Sequence, residues 1–346
     1  MWQATLRDLQ WRRRRFLIAI TGTALVFAMS LLLSGLAASF TLETDRALKA
    51  IGADVWVVKE GASGPFTAFS PVPETDAERV SQMEGVTEAQ PIIYLHQTVG
   101  EQPKDINLFG VVPGELGEPP VSKGRGLGGA GEALADSTLD VDVGGTVQMA
   151  GRDYEVVGVT KNTTLNGGIA TMFITLDDAQ ALLGGNPIAS AIVATGTPKE
   201  TIDGLRVMTV DQARTDLLRP LQNAAQSINF VKVLLWIVAA CIIGSIVYLS
   251  AMERTRDFAV FKATGTSNSS LGAGLALQAV ILAVAAAILA SAIAILLAPV
   301  FPLPVEIPTS AFFILFGIAI VVGLLASVAG LRRAVKVEPA LAFGGP

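Results

Sequence analysis

Residues 251–265 read AMERTRDFAVFKATG, a short charged stretch between two long apolar runs. Phe258 and Phe261 are three residues apart, so both rings lie on one face of a helix. Gly265 suits the end of that helix, and the serines that follow can cap the next one. The pattern predicts a short helix at a membrane surface that docks onto a soluble partner. Packing of the two rings against the protein's own helices is the alternative.

Four apolar segments are long enough to cross a membrane. The chain has 346 residues, 51% of them apolar, and a mean hydropathy of +0.54, which is typical of a membrane protein. A spanning helix needs about 20 mostly apolar residues. The uncharged segments cover residues 16–40, 233–252, 271–305 and 309–331. The third is expected to be one helix followed by a proline-rich turn.

Charged residues are divided unevenly among the segments that flank these spans. Residues 1–15, 252–270 and 332–346 together hold 11 basic and 4 acidic side chains, whereas residues 43–219 hold 13 basic and 25 acidic ones. Short loops on the cytoplasmic side of a membrane are rich in Lys and Arg, whereas long domains are translocated regardless of their charge. The distribution predicts cytoplasmic N- and C-termini, four spans and an extracytoplasmic region over 41–227.

The N-terminal segment leaves two alternatives open. Residues 12–40 could be a cleaved signal peptide, but their apolar stretch is longer than the roughly 7–15 residues usual there. Trp2, Leu6 and Leu9 fall on one side of a helix, which predicts an amphipathic helix on the inner membrane surface. A plain basic tail is the alternative for residues 1–15.

Residues 41–227 alternate strand-like and helix-like pieces, which predicts an α+β domain in two lobes or one bilobed unit. Cys241 is the one cysteine, so no intrachain disulfide supports the domain. Residues 113–131 are rich in glycine and proline and are expected to form a mobile loop. Strands are expected over 53–59, 91–99, 106–112, 146–150, 154–160, 172–175, 189–194 and 206–210. Helices are expected over 75–83, 177–183 and 211–228, the last running straight into the second span. Residues 151–153 are expected to form a hairpin turn.

Catalytic patterns in this domain are weak. The glycine run at 124–131 lacks the Lys-Ser/Thr of a phosphate loop, so a flexible loop is the better interpretation. Asp140, Asp142 and Asp153 lack the spacing of an EF-hand and are interpreted as solvated turn residues. His96 is the one histidine, which excludes a histidine metal cluster, and it is interpreted as a satisfied or exposed strand residue. A membrane-anchored enzyme is therefore the least favoured class.

Several motifs resemble the MacB/FtsX-like ABC transporter permeases, also called type VII permeases. ERTRDFAVFKATGTS at 253–267 resembles the family's loop between the second and third spans, with Asp257 and Thr264 departing from its usual Glu and aliphatic residue. RRAVKVEPALA at 332–342 resembles its C-terminal tail, although the Ala-Leu pair comes sooner after Pro339. IGADV at 51–55 and the segment 139–159 resemble parts of its periplasmic core domain. The resemblance covers essentially the whole chain.

The resemblance implies a membrane protein with four transmembrane helices, one before and three after a large α+β extracytoplasmic domain, in a prokaryotic cytoplasmic membrane. It implies a non-catalytic permease subunit, and the chain has no G-x-x-x-x-G-K-S/T motif for hydrolysing ATP itself. ATP and Mg²⁺ would be bound by a separate ABC ATPase in two copies, with a second permease chain forming a homodimer. Membrane lipid and an extracytoplasmic substrate or accessory protein are further expected partners, and nucleic acid is not.

The family's loop implies a coupling helix that inserts into a groove of the ATPase. Its aromatic pair would be the anchor, and its charges would set the orientation at the rim. The residues expected to couple the ATPase are Glu253, Arg254, Arg256, Asp257, Phe258, Phe261, Lys262 and Gly265.

The intramembrane part of the four spans contains no Asp, Glu, Arg or Lys, which argues against an ion channel or a proton-coupled carrier. It suits the mechanotransmission that the family implies, in which ATPase closure moves the external domain to export or extract a lipid, lipoprotein, peptide or drug. The alternative is an FtsX-like regulator of an extracytoplasmic cell-wall hydrolase, without transport.

The expected organisation follows from these observations. The segments are an N-terminal amphipathic or basic helix at 1–15, a first span at 16–40, the external domain at 41–227, a second span with its stalk at 228–252, the coupling loop at 253–270, a third span at 271–300, an outer loop at 301–308, a fourth span at 309–331 and a cytoplasmic tail at 332–346.

Overall fold

A computed structural model of the chain describes residues 13–100, 102–200, 202–301 and 303–335. The helix expected over 1–15 and the tail expected over 332–346 lie almost entirely outside these residues. The chain forms two compact units. One contains the described residues up to Ala38 and from Ala224 onward, and the other is Ser39–Asn223.

The described residues contain eight α-helices and three single turns of 3-10 helix. The helices are α1 (Arg13–Ile51), α2 (Asp76–Ser81), α3 (Leu176–Leu182), α4 (Val210–Leu218), α5 (Gln222–Glu253), α6 (Thr255–Ala263), α7 (Asn268–Leu297) and α8 (Thr309–Val335). The 3-10 turns are Ser137–Leu139, Arg219–Leu221 and Ala298–Val300. Within the described part of the chain, four helical stretches are long and apolar enough to cross a membrane: Arg14–Ile51 in α1, Val210–Glu253 over α4 and α5, Asn268–Val300 over α7, and Thr309–Arg332 in α8. The prediction of four spans, one before and three after an α+β domain, is confirmed.

Small side chains let the spans pack closely. Ala283 and Ala286 of α7 are fully buried. A Cβ added to Gly323 of α8 would lie 2.9 Å from the Cα of Val280, so the two backbones are nearly in contact. Close approach of this kind stabilises helix pairs in lipid, where no hydrophobic force draws apolar helices together.

The Ser39–Asn223 unit is built on β-strands. They are β1 (Val55–Lys59), β2 (Val72–Pro73), β3 (Val86–Val99), β4 (Lys104–Val111), β5 (Lys123–Gly124), β6 (Glu132–Asp136), β7 (Thr146–Met149), β8 (Arg152–Thr160), β9 (Thr171–Thr175), β10 (Ile188–Ala189), β11 (Ala191–Gly196) and β12 (Leu205–Thr209). Ten form one sheet in the order β12-β1-β11-β3-β4-β9-β6-β8-β5, with β7 pairing both β3 and β8, while β2 and β10 pair separately. Only β4–β9 and β6–β8 are parallel among these pairs.

One long strand links two regions of this sheet. The first half of β3 pairs with β11 and its second half with β4. Val99 at its end pairs with Met149 of β7, so β3, β4, β9, β6, β8 and β7 form a closed ring. Ile106, Val156 and Ile174 from these strands are fully buried in one apolar cluster. An open sheet and a closed ring therefore share a strand within one α+β unit.

The predicted hairpin is present, but its turn lies earlier than residues 151–153. Met149 pairs with Arg152, which leaves Ala150 and Gly151 as the two turn residues. Both residues have positive φ, 50° at Ala150 and 76° at Gly151, as a type I′ turn requires. Arg152 and Asp153 belong to β8, because the β7–β8 hydrogen-bond ladder continues up to the turn.

The loop expected to be mobile over 113–131 is irregular apart from β5, yet it is tied to its surroundings. The carboxylate of Glu118 accepts the N–H groups of Gly114, at 2.5 Å, and of Leu127, at 2.8 Å. The side chain of Leu127 is buried in a core cluster. The structure does not support a free loop, because glycine content measures backbone freedom and says nothing of the acceptors that bind its N–H groups.

The helix expected over 211–228 is interrupted. It begins with a capping box, in which the Thr209 hydroxyl accepts the N–H of Gln212 and the Gln212 side chain accepts the N–H of Thr209. A 3-10 turn containing Pro220 separates α4 from α5. Proline lacks the N–H that an unbroken helix needs. The straight helix that the sequence pattern predicts is thus two helices joined by a tighter turn.

Candidate coupling site

The charged loop between α5 and α7 is built around α6, and backbone hydrogen bonds fix where α6 ends. Gly265 has a φ of 90°. The N–H of Thr266 donates to the carbonyl of Phe261 at 2.9 Å, and that of Gly265 to the carbonyl of Lys262 at 3.0 Å. Together these features form a Schellman motif. The hydroxyl of Ser267 then caps α7. The prediction that Gly265 ends the helix is confirmed.

The two aromatic side chains of α6 face the protein's own helices. Phe258 is 3% exposed and lies in the core cluster of the spans, and Phe261 is half-buried against the same cluster. The guanidinium of Arg254 lies over the Phe258 ring, 5.6 Å from its centroid. In this structure the Phe258 ring packs against the spans, which is the arrangement that the sequence left open as an alternative. The spacing of the two phenylalanines places them on one face of the helix, but it does not show whether that face turns toward the spans or away from them.

The opposite face of α6 is exposed. Its members are Arg256, Asp257, Val260, Ala263 and Thr264, and we refer to them as the outer face of α6. Their spacings of three and four residues place them on one stripe of the helix. Val260 is its large apolar member, with 46% of its surface exposed. Arg256 and Asp257 are thus the predicted coupling residues that reach this face, whereas Lys262 is half-buried beside it.

Two more of the residues expected to couple the ATPase, Glu253 and Arg254, form ion pairs within this chain. Nη1 of Arg15 on α1 donates to Oε2 of Glu253 at 2.9 Å, and Arg15 also donates to the carbonyl of Ile246 at 3.1 Å. Nε of Arg254 lies 3.6 Å from Oδ2 of Asp257. The sequence does not predict these contacts of Arg15, because an arginine next to a span is already explained by the preference for positive charge on the cytoplasmic side. These contacts link the loop to the first and second spans.

A buried carboxylate on α1 holds a turn of the Ser39–Asn223 unit. Glu43 is 4% exposed. Its Oε2 accepts the N–H groups of Gly167 and Gly168, both at 3.1 Å. Successive N–H groups that converge in this way form a small concave site for an anion. Both glycines have positive φ, 85° and 93°, a backbone conformation that costs little only without a Cβ.

The far side of the same turn is fixed by a polar cluster. Nδ2 of Asn166 donates to Oδ1 of Asn107 at 2.9 Å, and the Tyr94 hydroxyl donates to the same oxygen at 2.8 Å. Burial raises the pKa of Tyr94 to about 12, so the phenol stays protonated and keeps donating. The turn that receives Glu43 is therefore anchored to β3 and β4 as well.

A second buried carboxylate, on α4, holds the loop after β1. Asp216 is 1% exposed. Its Oδ2 accepts the N–H groups of Phe66, at 3.0 Å, and Thr67, at 3.2 Å, and its Oδ1 accepts the Thr67 hydroxyl. A Cβ on Gly64 would lie 2.2 Å from Cγ of Asp216, so the loop can pass only without a side chain there. Hydrogen bonds to a charged acceptor are about twice as strong as neutral ones.

A two-point ion pair joins α4 to the end of α1. Nε of Arg214 lies 2.7 Å from Oδ1 of Asp45, and Nη2 donates to Oδ2 at 2.9 Å. The guanidinium therefore approaches both carboxylate oxygens of Asp45, by a hydrogen bond at Oδ2 and by a close charge contact at Oδ1. We refer to Glu43 and Asp216 as the junction carboxylates. The sequence signal for them is weak, because acidic residues on a helix usually lie in solvent.

Metal and acid–base chemistry find little support. Among the residues that the structure describes, no group of three or more His, Cys, Asp and Glu side chains is placed to hold a metal ion. His96 is exposed, with Nε2 3.2 Å from the Tyr94 hydroxyl. Asp140 is a left-handed residue after a 3-10 turn, with a φ of 57°.

Two family models and several known proteins match the chain. A model described as FtsX-like permease C-terminal matches residues 229–339, and one described as MacB-like periplasmic core domain matches residues 16–211. An uncharacterized ABC transporter permease of Mycobacterium tuberculosis is 46% identical over 346 residues, 99% of each chain. The putative hemin transport system permease protein HrtB of Staphylococcus epidermidis is 20% identical over 353 residues, 98% of each chain. The structure of the periplasmic region of MacB from Actinobacillus actinomycetemcomitans matches 49% of this chain and 94% of its own, with 13% identity and a TM-score of 0.36.

Proposed function

The chain belongs to the MacB/FtsX-like family of ABC transporter permeases, and from this premise we propose that it works by mechanotransmission. An ABC permease acts with an ATPase component, and this chain carries no P-loop motif of its own. ATP and Mg²⁺ are bound by that separate subunit. The working complex contains two ATPase chains and two copies of this permease. The outer face of α6 and both chain termini lie in the cytoplasm of a prokaryotic cell, and the Ser39–Asn223 unit lies outside it.

The outer face of α6 is the surface proposed to meet the ATPase. Arg256 and Asp257 supply charges that orient the contact, and Val260 supplies its apolar centre. Phe258 and Phe261 support this face from behind, since they pack α6 onto the spans. A helix held in this way moves with the membrane helices when its partner moves.

The junction carboxylates are the proposed output of that motion. The same helix, α1, carries Arg15 at the loop end and Glu43 at the other. On the second path, α4 carries Asp216 and is separated from α5 by the 3-10 turn at Pro220. Displacement of either helix pulls directly on backbone N–H groups of the Ser39–Asn223 unit. The work is done outside the bilayer on an amphiphilic cargo, which is a lipid, lipoprotein, peptide or drug.

The ATPase contact is inferred from one observation, which is that α6 has an exposed outer face while its other side is buried against the spans. It is tested by purifying the tagged protein from its native membranes with bound partners. An ABC ATPase is identified in the eluate by its P-loop peptide and by ATP hydrolysis. The variants are Val260→Asp and, as a matched control, Val143→Asp. The two valines have the same 46% exposure, and Val143 lies in the Ser39–Asn223 unit.

The expected result is recovery of the ATPase with the unmodified protein and with Val143→Asp, and its loss with Val260→Asp. Size-exclusion profiles of all three proteins should coincide, because both substitutions are at exposed positions. If Val260→Asp still retained the ATPase, the ATPase would have to bind a part of the permease other than the outer face of α6. Recovery of no ATPase at all with the monodisperse unmodified protein would remove the basis of mechanotransmission.

A further inference from the structure

A groove with one polar and one apolar end runs between α5 and α8. The polar end is a cavity of about 180 Å³ whose lining includes Lys232, Ser34 and Ser310. The apolar end is a groove of about 470 Å³ lined by aliphatic residues of both helices. Trp236 lines both spaces, so they are neighbours. A cavity with a cation and hydroxyl groups therefore lies beside an apolar one.

The polar end offers a cation and hydroxyl groups. Nζ of Lys232 lies 3.5 Å from Oδ1 of Asn229, one turn back on the same helix, and this is its one protein hydrogen bond among the described residues. The described residues that line the cavity include no acidic side chain. A lysine so placed at the end of a span attracts an anion at the level of lipid headgroups.

The indole of Trp236 is held in place between the two ends. Its Nε1–H donates to the Ser30 hydroxyl at 2.9 Å. Ser34, one turn further along α1, donates to the Ser30 carbonyl at 2.8 Å. Tryptophan with one polar and one apolar edge is typical of the membrane interface. The ring thus separates a headgroup-like space from a chain-like space.

The apolar end has the length of one lipid leaflet. Its lining on α8 runs from Ile314 to Leu325, about 16 Å at the rise of an α-helix. The hydrocarbon core of a bilayer is about 30 Å thick, so this is roughly half of it. Gly317 lines the groove, and a Cβ built there would meet no atom within 4 Å.

We propose that this groove is a binding site for a phospholipid with an anionic headgroup. The phosphate sits at Lys232 and the cavity hydroxyls, and one acyl chain lies along α5 and α8 past Trp236 and Gly317. A zwitterionic headgroup fits less well, because its cation would meet Lys232 and no carboxylate among the lining residues. The site goes beyond the ATP-driven function and does not depend on it, since the purified chain without ATPase contains every residue involved.

The test measures quenching of Trp236 by brominated lipids. The full-length protein is reconstituted in phosphatidylcholine vesicles that contain equal fractions of either dibrominated phosphatidylglycerol or dibrominated phosphatidylcholine. The chain has four tryptophans, so the signal of a Trp236→Phe variant is subtracted. The brominated anionic lipid should be enriched at Trp236 about fivefold over the brominated zwitterionic lipid, the preference that one basic residue gives at a membrane surface.

Two variants separate the headgroup from the chain. Lys232→Gln should abolish the preference for the anionic lipid and leave quenching by both lipids equal. Gly317→Leu should fill the groove and lower quenching by both, whereas Gly22→Leu should change nothing. Gly22 is the matched control because it lies in the first span and a Cβ there also meets no atom within 4 Å.

Three outcomes would overturn the proposal. Equal quenching by the two lipids in the unmodified protein would mean that ordinary boundary lipid fills the groove. Absence of quenching by either would mean that a second protein chain covers it. A preference that survives Lys232→Gln would place the anionic lipid elsewhere. None of these results bears on the ATPase contact of α6, which is measured separately.

Discussion

The outer face of α6 and the junction carboxylates use the same kinds of side chain in opposite surroundings. Arg256 and Asp257 stand in solvent on α6. Glu43 and Asp216 are 4% and 1% exposed and are bonded to backbone N–H groups of their own chain. Exposed charges contribute little to stability and can be used to recognise another protein. Buried charges are costly to leave unpaired, so they join parts of one molecule firmly.

The difference predicts that stability and coupling can be separated by mutation. Changes on the outer face of α6 should remove a partner and spare the fold. Changes behind that face or at the junction should weaken the fold.

Phe258→Ala should have the largest effect on stability. The ring is 3% exposed within the core cluster of the spans, and truncating a buried aromatic costs about 3 kcal/mol or more. Val260→Ala, on the exposed face of the same helix, should cost under about 0.5 kcal/mol. Thermal unfolding in detergent measures both. Equal effects of the two substitutions would show that α6 is not packed on the spans through its aromatic face.

Asp216→Asn should lower the free energy of unfolding by about 2–3 kcal/mol. The substitution removes the charge of a carboxylate that accepts two backbone N–H groups and a hydroxyl. Asp211→Asn is the control, since Asp211 lies on the same helix and is exposed. Chemical denaturation followed through the Ser39–Asn223 unit reports the difference. A similar small change for both variants would mean that the loop after β1 does not depend on α4.

Glu43→Gln should lower the free energy of unfolding by about 1–2 kcal/mol, less than Asp216→Asn. One oxygen of Glu43 accepts from both Gly167 and Gly168, so the amide oxygen can replace it, whereas Asp216 accepts through both of its oxygens. Amide hydrogen exchange of those two glycines should become faster. Glu60→Gln, at an exposed position, should leave their exchange unchanged. Unaltered protection in Glu43→Gln would show that the polar cluster around Asn107 holds the turn without help from α1.

The smallest effect is expected at an exposed ion pair and should depend on pH. The hydrogen bond from Arg125 lowers the pKa of Glu132 from 4.5 to about 2, and the N–H of Gly128 also donates to this carboxylate. A depressed pKa in the folded state gives stability that is present above pH 4.5 and lost as the pH falls toward about 2.

Glu132→Gln should therefore lower the melting temperature slightly at neutral pH, and its difference from the unmodified protein should shrink as the pH falls through this window. Arg125→Gln should behave in the same way, because it removes the other partner of the pair. A difference that stays constant with pH would mean that Glu132 acts through packing and not through its charge.

Local patterns in the sequence are enough to predict the four spans and the helix α6. Uncharged runs of about 20 residues have few alternatives to a spanning helix, and Gly265 can end a helix because of its own backbone freedom. The direction in which α6 turns its rings was not predictable, since it depends on residues of other helices. The same holds for Glu43 and Asp216, whose partners lie 124 and 150 residues away along the chain. Pro220 is a local signal for the break before α5, because proline lacks the N–H that a continuous helix needs.

The most direct test of mechanotransmission is hydrogen exchange in the purified complex of this permease with its ATPase, with and without a non-hydrolysable ATP analogue. Mechanotransmission predicts that ATPase binding protects α6. It also predicts that the nucleotide changes exchange at Gly167 and Gly168 and at Phe66 and Thr67, the amides held by the junction carboxylates. In Val260→Asp both changes should be absent. Protection of α6 with no nucleotide-dependent change at those four amides would contradict it.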